Sequence, residues 1–356
     1  MTQRLRSTAG FSLAEMLISI TILLIVSSIV TSALMQMTKQ QQTIWNRTEM
    51  HSGVRGATEL LQQEVGQAGR ITLPANVWTS GGPVVGLPRT PTACVNATVT
   101  LASDLAGASP LKGMWLDPAT NSGIVLTFMG MDNSLGAPVI DATETVRVIG
   151  LDTVANTVTG CFWHNHVAGA QGVGTPVVAQ GGFANGIVPP VGIVNGSTAN
   201  RLKMFGDING DGQLVYVEYY CDNGDAGTAG SHNLYRNIMD FDIAPGAKPP
   251  NDNSRILLSN IYPNPPDAAG AARPCFQYQT VQQIAQGTVF TFVLDVAVTL
   301  TAQTALVDPI TKQFQTETKA LLNVSPRNVY NAFSLVGMGY TDHVQSTPVT
   351  VSALLQ

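Results

Sequence analysis

The chain has 356 residues, of which 12% are charged and 44% are hydrophobic, and its formal net charge at pH 7 is −5. This length allows two or three domains. Since no dense run of Lys and Arg occurs, the sequence lacks the electrostatic footprint of a nucleic-acid groove, and we expect no nucleic-acid partner. The low charge, together with 34 Gly and 20 Pro, is more typical of a β-rich extracytoplasmic protein than of a helical cytosolic enzyme.

The N-terminus combines a short basic segment with a long apolar one. Arg4 and Arg6 precede a stretch from Phe11 to Met37 that carries a single charge, Glu15. This stretch exceeds the ~20 residues that a helix needs to cross a bilayer. Positive charge on the short N-terminal side predicts that the N-terminus stays in the cytoplasm and that the bulk of the chain lies outside.

The candidate cleavage site, Gly10–Phe11, precedes the apolar stretch, whereas an ordinary secretory signal is cut after it. The sequence Gly-Phe-Ser-Leu-Ala-Glu at positions 10–15 resembles the prepilin motif of type IV pilins. The resemblance implies that prepilin peptidase cuts after Gly10 and methylates Phe11. A carboxylate inside an apolar helix costs about 2.5–3.5 kcal/mol and needs a partner. The resemblance makes Glu15 an assembly residue paired with the Phe11 amine of the same or a neighbouring subunit; the alternative is an incidental charge at the membrane edge.

Beyond Met37 the helical pattern continues and becomes amphipathic. The sequence predicts one helix from Phe11 to about Ala68, roughly 85 Å long at 1.5 Å per residue. Residues 11–37 would be its transmembrane and assembly segment, and residues 38–70 its amphipathic half. The apolar positions of that half are Ile44, Val54, Ala57, Leu61, Val65 and Ala68.

Glycines and a proline mark the course of this helix. Gly53 and Gly56 are candidate bends, and Gly69 and Pro74 are expected to end it. The end of the helix, residues 60–70, resembles the corresponding region of PilW-like minor pilins and of their secretion-system relatives, the GspJ-like minor pseudopilins.

From residue 71 to residue 356, short apolar runs separated by turn residues predict a β-rich head. The clearest strand is Val289–Ala302, which alternates with a period of two and is expected to pair as a hairpin with Gln313–Leu322. Further strands are predicted at Ile124–Met129, Thr145–Ile149, Arg201–Phe205, Leu214–Tyr220 and Ile256–Ile261. The predicted fold class is α+β, a long N-terminal helix packed on a mostly antiparallel head, with an inserted lobe around residues 75–205.

The four cysteines are widely spaced and include no CxxC pair. Two disulfides formed in an oxidising compartment are favoured over buried free thiols. Three pairings are open among Cys94, Cys161, Cys221 and Cys275.

Residues 207–218 fit the calcium-loop pattern D-x-[DN]-x-[DN]-G-x5-E, because Ca²⁺ prefers oxygen donors arranged on a tight turn. The candidate ligands are Asp207, Asn209, Asp211, the Gln213 carbonyl and Glu218. The flanking segments favour strands rather than the helices of an EF-hand, and Glu218 would then lie far along a strand. A plain Asx-rich turn between two strands is the alternative.

We expect no enzymatic activity and no catalytic residues, since no acid–base pair, P-loop or nucleophile motif occurs. His164 and His166 form a three-residue match to a nuclease or metal motif that is better explained by packed or surface histidines. Apart from the calcium candidate, no cofactor is indicated.

The resemblance implies a minor pilin that starts or tips a type IV pilus, with adhesion as a further role; a type II secretion pseudopilin and an anchored enzyme are alternatives. The size of the head favours the pilus, because related secretion subunits tend to have smaller heads. The implied partners are prepilin peptidase, minor and major pilins and the inner-membrane assembly platform. The chain would span the inner membrane once, with its head in the periplasm, and then enter a surface fibre.

Overall fold

The structure is a computed structural model, and it describes residues 12–81, 93–132, 140–141, 143–222, 232–285 and 287–356. The chain divides into two compact units. The first comprises Met1–Gly53 and Gln303–Glu317, and the second comprises Val54–Ala302 and Thr318–Gln356.

A single helix, α1 (Leu13–Gln67), confirms the predicted long N-terminal helix. It passes through Gly53 and Gly56 without interruption. Gly69 follows the helix with a φ of +78°, the left-handed conformation that glycine adopts most easily and that commonly ends helices. Two short helices, α2 (Arg327–Gly337) and α3 (Val349–Leu354), lie near the C-terminus.

Strands are the main regular element in the rest of the described chain. In chain order these are β1 (Val77–Gly81), β2 (Val95–Ser103), β3 (Leu116–Asp117), β4 (Ser122–Gly123), β5 (Val125–Phe128), β6 (Met131–Asp132), β7 (Ile140–Asp141), β8 (Glu144–Asp152), β9 (Thr157–Phe162), β10 (Pro176–Ala179), β11 (Gly182–Phe183), β12 (Arg201–Gly206), β13 (Val215–Cys221), β14 (His232–Asp240), β15 (Ile256–Tyr262), β16 (Phe276–Ala285), β17 (Thr288–Gln303), β18 (Thr316–Val324) and β19 (Val344–Gln345). Single 3₁₀ turns occur at Pro245–Ala247, Asn253–Arg255 and Thr341–His343.

Two antiparallel assemblies form the head. Strands β1-β10-β5-β8-β9-β2 close into a barrel, which lies within the range where the sequence predicts an inserted lobe. Whether this lobe is an insertion stays a prediction. Strands β12-β13-β14-β15-β17-β16, with β18 on β17, form a larger sheet, and the pairing of β17 with β18 confirms the predicted hairpin. The predicted α+β, pilin-like fold is therefore confirmed.

The core of the head contains large buried side chains from both assemblies. Phe128 and Phe162 fill the barrel with their ring centroids 5.0 Å apart, while Phe205 and Tyr216 belong to the larger sheet. On α1, the positions predicted to face the core from Val54 onward are buried, namely Val54, Ala57, Leu61, Val65 and Ala68. Burial of this apolar stripe is what fixes an amphipathic helix to a sheet.

The prediction for Ile44 was wrong, because its side chain is 64% exposed. The buried residues before Val54 are Asn46 and Met50. Ile44 lies two residues from Asn46, which is about 200° around a helix of 3.6 residues per turn. The buried face of α1 therefore carries a polar residue, Asn46, at a position where the hydrophobic pattern predicts an apolar one.

Candidate functional site

The start of α1 forms a capping box. The Ser12 backbone N–H donates to Oε2 of Glu15 at 3.0 Å, and the Ala14 N–H donates to the Ser12 hydroxyl at 3.2 Å. Two helix-terminal donors are satisfied in this way. Sequence reasoning missed the role of Ser12, although the spacing Ser-x-x-Glu signals it. The predicted cleavage and methylation residues, Gly10 and Phe11, lie outside the described residues.

The first part of α1 exposes an almost wholly apolar surface. Its most apolar window has a mean hydropathy of 2.4, and none of that window is buried. Three of its hydroxyl groups bond to its own backbone: Ser19 donates to the Glu15 carbonyl and Thr21 to the Leu17 carbonyl, each at 2.8 Å, and Ser28 donates to the Ile25 carbonyl at 3.1 Å. Such self-satisfied polar groups suit a helix that crosses lipid, where water is absent. By length and composition, α1 is able to span a membrane.

Within the second unit, a buried carboxylate attaches the end of α1 to the larger sheet. Glu64 is 5% exposed, and it accepts hydrogen bonds from Arg236 Nε at 3.0 Å and from the Tyr219 hydroxyl at 2.5 Å. Burial raises the pKa of Tyr219, and the negative charge of Glu64 adds to that effect. Burial lowers the pKa of Arg236, but the hydrogen bond and charge of Glu64 raise it more, so that the net pKa lies above its ordinary value. The Glu64 side chain is 7% exposed, whereas that of Arg236 is 23% exposed and keeps some contact with water.

Backbone bonds continue this attachment past the helix end. The Gly69 N–H donates to the Phe205 carbonyl at 2.9 Å, and the Phe183 N–H donates to the Gly69 carbonyl at 3.0 Å. A Cβ at Gly69 would meet Val329 Cγ2 at 2.9 Å, so a side chain does not fit there. The residue that ends the helix also joins it to the head.

The candidate calcium residues are divided between two places. Asp207 is fully buried, and its Oδ2 accepts a hydrogen bond from Thr72 while Arg70 Nε lies 3.6 Å away. Its Oδ1 has no hydrogen-bond partner among the described residues. Asn209 and Asp211 are exposed, and Asp211 accepts the Gln213 N–H at 2.9 Å in an Asx turn.

Glu218 lies on β13, away from that turn. It is 2% exposed and accepts from Arg201 at 2.7 Å, from Lys248 at 2.8 Å and from the Tyr216 hydroxyl at 2.9 Å. Two cations neutralise its carboxylate, and it lies three residues along β13 from Val215, about 10 Å from the start of the strand that follows the loop. Within the described residues, no three His, Cys, Asp or Glu side chains form a group that could hold a metal. Calcium binding by the loop stays a prediction, but the carboxylate of Glu218 is paired with Arg201 and Lys248 rather than with the loop.

The cysteines form two disulfides, Cys94–Cys161 and Cys221–Cys275, which resolves the pairing that the sequence left open. Cys161 lies on β9 of the barrel, and Cys221 ends β13 of the larger sheet. Each half of the head therefore carries one covalent link.

His166 is packed in the barrel rather than open to a ligand. It is 3% exposed, its Nε2 lies 2.8 Å from Glu144 Oε1, and its ring lies 5.2 Å from that of Phe128. Glu144 also accepts the backbone N–H groups of Trp163 and His164 at 2.7 and 3.0 Å. These contacts fasten the segment that follows β9.

A comparison with protein-family models matches residues 5–31 to the prokaryotic N-terminal methylation motif. The chain carries a prepilin-type leader. The motif fits a type IV pilin or pseudopilin processed by prepilin peptidase, and with the exposed apolar part of α1 it indicates a membrane-anchored protein. Comparisons with curated proteins and with solved structures found no match.

Proposed function

We propose that this protein is a minor pilin of a type IV pilus, which enters the filament during initiation or at the tip. The observation that carries the proposal is the methylation motif at residues 5–31 followed by one uninterrupted helix, Leu13–Gln67. The apolar part of that helix is exposed, while its last turns are buried in the head. Such a helix serves first as a membrane anchor and then as the handle by which the subunit is polymerised.

The physics of the helix explains the assembly step. Removal of the leader takes away Arg4 and Arg6 and creates a new amine on Phe11. Apolar helices that leave the bilayer must bury their sides against one another, so a bundle of such helices replaces lipid as the solvent. The energy for extraction comes from another protein of the assembly platform, since this chain has no nucleotide-binding motif.

Glu15 fits its proposed role through its local geometry. The capping box places its carboxylate against the backbone of Ser12, one residue from the amine that cleavage creates. Opposite charges attract more strongly in an apolar filament core than in water. The same carboxylate is therefore positioned to pair with the Phe11 amine of its own or a neighbouring subunit and to favour one axial register.

The proposed location is the inner membrane, with the N-terminus in the cytoplasm and the head in the periplasm, and later a surface fibre. Two disulfides in the head support an oxidising compartment. The proposed partners are prepilin peptidase, the other minor and major pilins and the inner-membrane platform. The leader fits a minor pseudopilin of a type II secretion system equally well, and the size of the head favours the pilus.

Deletion of the gene in its native host separates these two functions. We expect the loss of surface pili, with restoration by the wild-type gene and poor restoration by Glu15→Gln. Glu59→Gln, an exposed change on the same helix, is the matched control and should restore pili fully. Unchanged piliation together with failure to secrete exoproteins would assign the chain to the secretion system instead.

A further inference from the structure

The loop between β17 and β18 folds against α1 within the first compact unit. Three side-chain contacts join them: Thr43 with Asp308, Arg47 with Gln315, and His51 with Glu317. From Glu317 back to Asp308, the partners of the loop on α1 move toward the N-terminus of the helix, from His51 to Thr43. The turn, residues 304–315, therefore points toward the apolar part of α1; we call these residues the tip.

The tip is a structured turn built around one carboxylate. Asp308 is 3% exposed, and its Oδ1 accepts the backbone N–H groups of Ile310 and Thr311 at 2.7 and 3.1 Å. Its backbone N–H donates to the Gln313 carbonyl at 3.0 Å. Hydrogen bonding by the Ile310 N–H keeps the pKa of Asp308 below its ordinary value. The turn is therefore held in one shape, which fixes the directions of the side chains around it.

Those side chains are apolar and face outward. Leu306, Val307, Ile310 and Phe314 are 54%, 41%, 58% and 49% exposed. Four exposed apolar side chains on one short turn mark a surface that meets another apolar phase.

The height of the tip along α1 identifies that phase. Thr43, which contacts the tip, lies six residues beyond Met37, or about 9 Å at 1.5 Å per residue. Headgroups extend roughly 5–8 Å beyond the hydrocarbon core on each side of a bilayer. Because residues 309–313 lie farther toward the turn than Asp308, they reach the headgroup level when α1 spans the membrane with Met37 at the outer edge of the hydrocarbon core.

Composition agrees with this level. Lys39 and Lys312 are both exposed at this level, and cations at a membrane surface are attracted to anionic lipids. Lys312 has a φ of +57°, an uncommon conformation for a residue other than glycine.

We propose that the tip docks on the outer headgroup layer of the same bilayer that holds α1. Ile310 enters the headgroup layer, while Lys39 and Lys312 meet lipid phosphates. This inference rests on the membrane anchorage contained in the proposed function. The tip gives the first unit a second point of attachment and thereby restrains the tilt of α1 before extraction, after which its apolar side chains become free.

Photo-cross-linking tests this contact on the full chain reconstituted in phosphatidylethanolamine vesicles that contain phosphatidylglycerol. The probe is p-benzoylphenylalanine in place of Ile310, which is 58% exposed. The control carries it in place of Glu49, an exposed residue of α1 in the same unit that lies twelve residues, or about 18 Å, beyond Met37. We expect phospholipid adducts, identified by mass, to be severalfold more abundant from position 310. Lys312→Glu should reduce them in these vesicles and leave them unchanged in phosphatidylcholine vesicles.

Equal lipid labelling from positions 310 and 49 would overturn the proposal, and so would adducts from 310 to a second protein chain instead of lipid. Flotation of the same samples separates this failure from that of the proposed function. A chain that floats with vesicles but shows no lipid adduct at 310 has its anchor and lacks the tip contact. A chain that does not float contradicts the anchorage itself.

Discussion

The ion pair between Glu64 and Arg236 is expected to hold α1 to the larger sheet, and Glu64→Gln removes its charge while keeping its shape. Loss of one partner from a buried pair costs about 3–5 kcal/mol. Because the Arg236 side chain is 23% exposed, water partly solvates the cation that remains. We therefore expect about 3 kcal/mol, the low end of that range. For a large chain this corresponds to a fall in Tm of roughly 6–12 °C.

Urea denaturation of the full chain in detergent, followed by near-UV circular dichroism, measures this loss. The matched control is Glu59→Gln on the same helix, where Glu59 pairs with Arg55 at 2.7 Å but the two side chains are 56% and 78% exposed. An exposed pair of this kind contributes no more than about 0.5 kcal/mol. The reasoning would be refuted if the two variants lost the same stability, because burial of the carboxylate would then have no energetic effect.

Gly10→Ala is expected to block leader removal, because the resemblance places cleavage after Gly10; an unshifted band on a gel checks this, and a normal shift would contradict it. Burial raises the pKa of Glu218, but Lys248 and the other partners lower it more, to below its ordinary 4.5. The ionised Glu218 carboxylate therefore contributes fully to the free energy of unfolding above pH 4.5. This contribution is lost as the pH falls through the lower pKa that Glu218 has in the folded state. Glu218→Gln should flatten the acid-side loss of stability in urea titrations at several pH values, and an unchanged pH profile would count against it. The loop motif predicts Ca²⁺ binding that Asp207→Ala with Asp211→Ala abolishes, whereas the pairing of Glu218 with Arg201 and Lys248 implies that Glu218→Gln leaves binding intact; calorimetric titration of the unmutated chain without heat of binding would end that idea.

Local patterns carried most of what the sequence predicted correctly. The period of α1, the glycine that ends it and the alternation along β17 depend on neighbours within a few residues. Gly69 could be assigned because a left-handed residue commonly follows a helix, and its φ of +78° agrees. The placement of Ile44 failed for a related reason: the buried face there includes Asn46, which a hydrophobic pattern does not register.

The sequence did not predict contacts between residues that are far apart along the chain. Glu64 and Arg236 are 172 residues apart, and nothing in either segment indicates the other. Closure of the barrel likewise depends on pairing β1 with both β2 and β10. The calcium motif was recognised from spacing alone, whereas the position of Glu218 depends on cations that come from β12 and from Lys248. Composition does not reveal such partners, because they are fixed only when the sheet has formed.

Mass spectrometry of the subunit recovered from sheared surface filaments tests the central claim most directly. The account predicts a chain that begins at Phe11, carries one added methyl group on that amine and retains the whole of α1. A subunit that keeps residues 1–10 in assembled filaments would contradict it, as would one that begins downstream of Met37.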